Sequence, residues 1–231
     1  MKNILIIGAG KGIGLATAKI LQSENLFTIS SNLTADLSAL NTTFFEADVA
    51  TDDLVHINLP EELHGLVFCP GSINLKPFNR LTENDFLADF NQNFLSAVKI
   101  IQRSLPALKK SGGASVVLFS TVAAKVGMPF HTSVAASKGA IEGFAKSLAA
   151  EFSAYKIRVN VIAPSLSDTA LATQLLSTED KRNASAKRHP LQRVGTAEDS
   201  AHLVEFLLSD KSSWMTGQII GVDGGLGNIK L

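Results

Sequence analysis

The sequence predicts an α/β fold in one domain: a doubly wound parallel sheet of about seven strands with helices on both faces. Three observations predict it. Short apolar runs alternate along the whole chain with longer segments of helical period. The runs are mostly apolar and often β-branched, as strands buried on both faces of a parallel sheet are. A glycine-rich turn stands directly between the first run and the first helical segment.

The expected strands are 3–7, 26–30, 43–46, 65–69, 115–119, 157–162 and 218–222. Helical period marks segments near 12–23, 83–110, 134–154 and 197–208. The interval from Asp48 to Gly65 is brief and carries Pro60, so a full crossover helix would be cramped there. A short helix or one turn is expected in its place. There is no internal repeat, low-complexity tract or linker, and residues 1–231 read as a single domain.

Composition removes several classes of function. The chain has 231 residues, ample to bury a core. Its 21 basic and 21 acidic residues cancel without a basic tract, which argues against nucleic acid as a partner. The single cysteine, Cys69, excludes an intramolecular disulfide and fits a reducing compartment. The first apolar run covers only Ile4 to Ile7 before glycines follow, too short for a secretory segment or a membrane span. A soluble cytoplasmic protein with no metal and no membrane partner is the expectation.

The turn reads Gly8-Ala9-Gly10-Lys11-Gly12-Ile13-Gly14. Glycines let backbone approach a pyrophosphate, and the N-terminus of the following helix offers free N–H groups and a positive dipole end. Strand, glycine turn and helix in that order point to a dinucleotide site. An acidic residue ending the second strand would bind a ribose 2′-hydroxyl and repel a 2′-phosphate. Here that position reads Ser30-Ser31-Asn32, with no carboxylate. This favours NADP, with NAD possible.

A second constellation is Ser120-Thr121-Val122 followed by Val134-Ala135-Ala136-Ser137-Lys138. Together with the glycine turn it resembles the short-chain dehydrogenase/reductase family, and the resemblance spans the whole chain. The family implies a Rossmann fold, a nicotinamide cofactor and hydride transfer between a small-molecule carbonyl and an alcohol. Gly8, Gly12 and Gly14 fall in register with the family's Gly-Ala-x-x-Gly-Ile-Gly. Lys11 stands where NADP-using members often carry a basic residue, or is a solvated lysine. Asp48 and Val49 correspond to the pair that contacts adenine, although an aspartate ending a strand serves equally as a cap. Gly71, in Phe68-Cys69-Pro70-Gly71, is what remains of the family's Asn-Asn-Ala-Gly. Cys69 reads as a small buried hydrophobe. Asn93, with Asn91 as the competing alignment, matches the asparagine whose backbone kink holds a water beside the lysine. Ile162 would lie against the nicotinamide, Pro164 ends the sixth strand, Ser165 replaces a glycine, and Thr169 would contact the carboxamide or pyrophosphate. Segment 166–192 is polar and helix-prone, and is expected to form a mobile lid.

The departure that bears on chemistry is Val134. The family has Tyr-x-x-x-Lys; this chain has Lys138 with valine in the tyrosine slot, and its one tyrosine, Tyr155, lies well beyond it. By resemblance Thr121 replaces the serine that orients the carbonyl, and Lys138 holds the nicotinamide ribose. The missing phenol removes a general acid, a role worth roughly 10²–10⁴-fold. His131, three residues before Val134, is one candidate substitute. A water held by Lys138 and Asn93 is another, while Ser133 and Ser137 carry unactivated hydroxyls. Three readings stand: an NADP-dependent reductase of altered or weak catalysis, a non-catalytic NADP binder acting as sensor or partner subunit, and an oligomerisation module without cofactor. The apolar residues Phe86, Phe90, Phe94, Val98, Ile141, Phe144, Leu148 and Phe152 on the two long helices either pair subunits into a homodimer or homotetramer, as relatives do, or belong to the core.

Overall fold

The computed structural model describes residues 1–230. Its strands are β1 (Asn3–Ile7), β2 (Asn25–Ser30), β3 (Thr42–Glu46), β4 (Gly65–Phe68), β5 (Ala114–Phe119), β6 (Ile157–Pro164), β7 (Ser167–Asp168), β8 (Gly195–Thr196) and β9 (Ile219–Val222). Its helices are α1 (Gly12–Ile20), α2 (Ala35–Ser38), α3 (Glu83–Phe90), α4 (Ser96–Lys110), α5 (Val122–Lys125), α6 (Thr132–Phe152), α7 (Glu179–Lys187) and α8 (Ala197–Leu208). Seven strands form one sheet in the order β3-β2-β1-β4-β5-β6-β9, parallel throughout. β7 and β8 form a separate two-stranded pair.

The sheet explains its own sequence. Ile4, Leu5, Ile6 and Ile7 are all at most 1% exposed, because side chains alternate to two covered faces. Leu5, Ile7, Leu66, Phe68, Val116 and Leu118 pack with Ile100 of α4 and Ile141 and Phe152 of α6. Ile4, Ile6, Val67 and Val117 pack with Ala18 of α1 and Val204, Leu207 and Leu208 of α8. The chain leaves β1 toward β2 and β3, and later returns through β4 toward β5 and β6. Their C-terminal ends therefore diverge, and a crevice opens between the loops after β1 and β4.

Several expectations need correction. The predicted helix 83–110 runs through, but Asn91–Leu95 widens into a π-helical turn between α3 and α4. Between Asp48 and Gly65, where a short helix or one turn is expected, turns at 49–51 and 55–56 stand and no helix forms. Asp48 Oδ1 accepts the Ala50 N–H at 2.9 Å, a local bond that competes with helix. Leu54, Ile57 and Leu63 are buried, and Arg103 of α4 donates to the carbonyls of Val55 and Ile57, which ties this stretch to the core without a helix. α2 and α5, four residues each, escaped the periodicity because they are about one turn long. Most of the apolar residues on the long helices belong to the core: Ile141, Leu148 and Phe152 are buried, and the Phe94 ring meets Phe90 at a tilt and Phe144 edge-to-face, with centroids at 4.8 and 5.4 Å. Leu87, Phe90 and Leu95 remain exposed on that side.

Candidate active site

A crevice of about 360 Å³ opens at the divergence of β1 and β4. Ten of the sequence-predicted cofactor residues line it: Gly8, Lys11, Gly12, Ile13, Gly14, Asn32, Asp48, Val49, Gly71 and Thr169. The turn is tight. Gly8 has φ +79° and Gly12 φ +56°, and a Cβ on Gly14 would lie 2.2 Å from the Gly8 carbonyl oxygen. Lys11 takes the N-cap position of α1 without a side-chain cap hydrogen bond, and the first turn holds no acidic residue. The leading N–H groups of α1 therefore keep their capacity for an external anion. This cradle fits a pyrophosphate.

The adenosine end is set by β2 and β3. Ser30 donates its hydroxyl to the Asn32 carbonyl at 2.7 Å, and Thr34 donates to the Gly10 carbonyl at 3.0 Å, tying this loop to the glycine turn. Ser31, Asn32 and Lys11 are exposed on the crevice wall, with no carboxylate at the end of β2. Asp48 uses one oxygen for Ala50, the cap role, and is otherwise exposed to the crevice.

A second cavity of about 300 Å³ adjoins the first and shares Ile13, Cys69, Gly71, Thr169 and Leu171 with it. Thr121, His131, Val134, Lys138 and Pro164 line this cavity. Lys138 is 6% exposed and donates from Nζ to the Phe119 carbonyl at 2.9 Å. Burial pushes its ammonium down to about 8, with Cys69 and Asp89 pulling the other way. Desolvation pushes the Cys69 thiol up to about 12, so it stands as a neutral thiol and not a nucleophile. Thr121 caps α5, accepting the Ala123 N–H at 3.3 Å, which leaves its own proton to donate.

Asn93 is fully buried in the π turn. Its Oδ1 accepts the Ser72 N–H at 3.2 Å, and its Nδ2 donates to the Asp89 carbonyl, Ser72 Oγ and Ser137 Oγ. A Cβ on Gly71 would sit 3.3 Å from Asn93 Oδ1 and 3.4 Å from Lys138 Nζ, so both groups gather at this glycine. Asn91 points elsewhere, donating to the Ala50 carbonyl. His131 Nδ1 lies 2.7 Å from the Pro129 carbonyl, which only accepts, so Nδ1 carries the proton and Nε2 of the neutral ring is an acceptor. Tyr155 follows α6, roughly 30 Å along the helix axis from Val134 at 1.5 Å per residue, under the Lys109 ammonium. It takes no part in the cavity.

The segment 166–192 carries β7 and α7 and lends residues to the lining of both cavities. Thr169 Cβ is 3.4 Å from where a Gly12 Cβ would stand. Arg182 holds Asp168 with two bonds of 2.6 and 3.2 Å. His189, 3% exposed, was not singled out by the sequence reading. Its Nδ1 donates to the Ser185 carbonyl at 2.9 Å, so its Nε2 accepts the Ser165 hydroxyl at 2.8 Å. That bond gives Ser165, in the family's glycine slot, a place. Asp89 was also missed; its spacing of four from Asn93 on one helix face was the available signal.

The profile of a family described as enoyl-(acyl carrier protein) reductase matches residues 8–227. A tropinone reductase homolog of Arabidopsis thaliana is 33% identical over 241 residues, covering 97% of this chain and 92% of that protein. This chain belongs to the short-chain dehydrogenase/reductase family. A 3-oxoacyl-[acyl-carrier-protein] reductase of Thermotoga maritima is 32% identical over 243 residues, covering 97% of each. Among solved structures, a short-chain type dehydrogenase/reductase from Mycobacterium ulcerans superposes with a TM-score of 0.87 at 26% identity, covering 98% of this chain and 90% of that one. A structure of ElxO with NADP bound gives 0.87 at 25%, covering 98% and 99%. This short-chain dehydrogenase/reductase is thus a member of an oxidoreductase family that uses nicotinamide cofactors. Among its described residues no helix is long and apolar enough to cross a membrane.

Proposed function

We propose that this chain binds NADP(H) in preference to NAD(H) and interconverts a small-molecule carbonyl and an alcohol without a catalytic tyrosine. The observation that carries the reading is Lys138, buried where the glycine-turn crevice meets the second cavity. When bound, the dinucleotide supplies or accepts hydride. The α1 N-terminus and glycine turn hold its pyrophosphate. Lys11 and Asn32 favour a 2′-phosphate, and Asp48 and Val49 flank the adenine. Lys138 holds the nicotinamide ribose, Pro164 and Thr169 bound the nicotinamide, and Thr121 donates a hydrogen bond to the substrate oxygen. Ile73, Leu75, Met128, Val134 and Leu175 give the substrate apolar walls.

Val134 favours a second reading, a non-catalytic NADP(H) binder serving as sensor or partner subunit. Calorimetric titration with NADPH and NADH tests the cofactor assignment, and a carbonyl screen with NADPH oxidation as readout separates the two readings. Tighter binding of NADPH with turnover supports the reductase; binding without turnover supports the sensor; no binding of either dinucleotide removes both. The exposed Leu87, Phe90 and Leu95 support a homodimer or homotetramer, checked by light scattering.

A further inference from the structure

Without a phenol at position 134, the substrate oxygen needs another proton partner. The hydroxyls flanking Val134 are already committed: Ser137 Oγ donates to the Val134 carbonyl, and Ser133 Oγ donates to Asp89 Oδ2 at 2.6 Å. On the cavity wall stands Ser72, half-buried, whose Oγ donates to Asp89 Oδ1, also at 2.6 Å. Both are short hydroxyl-to-carboxyl hydrogen bonds. Ser72 Oγ also accepts Asn93 Nδ2 at 2.9 Å, which leaves one lone pair of that oxygen for a ligand.

Asp89 is 3% exposed between α3 and α6, and among the described residues it forms no ion pair. A buried carboxylate without an ion-pair partner is costly, and an apolar side chain would fill a helix interface at less expense. Its two bonded hydroxyls compensate it, with the Lys138 ammonium close enough to feel its charge, and one of those hydroxyls reaches the substrate cavity. Ser120 is the nearest parallel: it lines the same cavity and donates to Glu142 at 2.6 Å, but Ser120 is itself 4% exposed and Glu142 is half open to solvent.

Resting on the reductase reading above, we propose that Ser72 is the catalytic hydroxyl of this chain and that Asp89 acts through it as a proton relay. In oxidation the substrate alcohol gives its proton to Ser72 Oγ as the Ser72 proton passes to Asp89 Oδ1. The substrate C–H bond breaks with its electron pair, which leaves as hydride to the bound NADP⁺, and the oxygen forms the carbonyl. In reduction the carbonyl carbon receives hydride from bound NADPH, the π pair moves to oxygen, and that oxygen takes the Ser72 proton. For this direction Asp89 has first taken a proton from solvent, and it passes that proton to Ser72 Oγ as the Ser72 proton leaves, ending as the carboxylate. Ser133 stays bonded to Oδ2 and steadies the carboxylate in both directions.

The test uses full-length protein with NADPH and a panel of ethyl acetoacetate, cyclohexanone, acetophenone and diacetyl. Asp89→Asn and Ser72→Ala are expected to lower kcat by about 100-fold or more. NADPH affinity by calorimetry stays within about twofold, and the solvent deuterium isotope effect on kcat changes. Ser72→Thr, which keeps the hydroxyl, restores most of kcat. Turnover of Asp89→Asn and Ser72→Ala within about threefold of wild type would overturn the relay while leaving the reductase reading intact. Loss of kcat in step with NADPH affinity and melting temperature would assign Asp89 a structural role and overturn it too. A wild-type chain that binds NADPH and reduces none of the panel would overturn the reductase reading and the relay with it.

Discussion

Replacing Gly14 by alanine introduces one methyl group where the structure leaves it no room. The new Cβ would lie 2.2 Å from the Gly8 carbonyl oxygen, 2.8 Å from its carbon and 3.1 Å from Ala9 Cα. All three are backbone atoms. Gly8 is anchored by its N–H to the Ile29 carbonyl at 2.8 Å, so the turn cannot swing aside freely. The first turn of α1 must recede by about 1 Å, and overpacking of this kind costs roughly 3 kcal/mol, the upper part of the usual range. A melting temperature lower by roughly 6–12 °C follows for a domain of this size. The same shift withdraws the helix N–H groups from the anion. Losing two charge-assisted bonds of about 1.5 kcal/mol or more each weakens NADPH binding by at least about 100-fold. Gly65→Ala is the comparison. Its Cβ would meet Ile4 Cδ1 at 2.7 Å and Leu208 Cδ2 at 2.9 Å, the movable ends of side chains. That variant loses about 1–2 kcal/mol and leaves NADPH affinity within about twofold. Differential scanning calorimetry and isothermal titration read both quantities. A Gly14→Ala protein that melts within about 1 °C of wild type and binds NADPH within about threefold would refute the argument that this turn is held by backbone contact.

Lys138→Met is expected to change how stability without cofactor varies with pH. Burial holds the Lys138 ammonium at about 8 against 10.5, so between those values the unfolded chain binds more protons and wild-type stability rises with pH. The difference is on the order of 3 kcal/mol, fully present as a penalty below about 8 and gone above 10.5. Urea midpoints of wild type and variant should diverge across that window, with the variant lacking the rise. Lys11→Glu should weaken NADPH by about tenfold and NADH by less than about twofold at low salt, with the gap closing as salt is added, measured by titration at two ionic strengths. Thr196→Ala removes the capping box that Thr196 and Asp199 form at α8, at a cost of about 1 kcal/mol read from the chemical denaturation midpoint.

The elements most legible in sequence were those whose signal is local. The run Asn3–Ile7 and the glycines after it state strand, turn and helix in consecutive residues, and the turn lies where that order puts it. Lys138 and Val134 sit one helical turn apart, so their shared face followed from spacing alone. For segment 48–65 the sequence left a short helix or one turn open, and turns form because Leu54, Ile57 and Leu63 find a distant core and Arg103 bonds its carbonyls. His189 and Asp89 were silent for the same reason. One histidine in a polar segment and one aspartate on a helix look like surface residues until the fold brings Ser165, Ser72 and Ser133 against them.

The sequence by itself determined the doubly wound sheet, the glycine turn between β1 and α1, the absence of a carboxylate at the end of β2 and a valine four residues before Lys138, because each is written in neighbouring residues or in a fixed period. Only the tertiary structure decided that Asn93 and not Asn91 reaches Gly71, that Ser133 and Ser137 turn away from the cavity, and that Ser72 meets a buried carboxylate 17 residues further along the chain. Hydrogen-bond geometry between separate elements is fixed by how helices and strands pack, and no local pattern of residues encodes it.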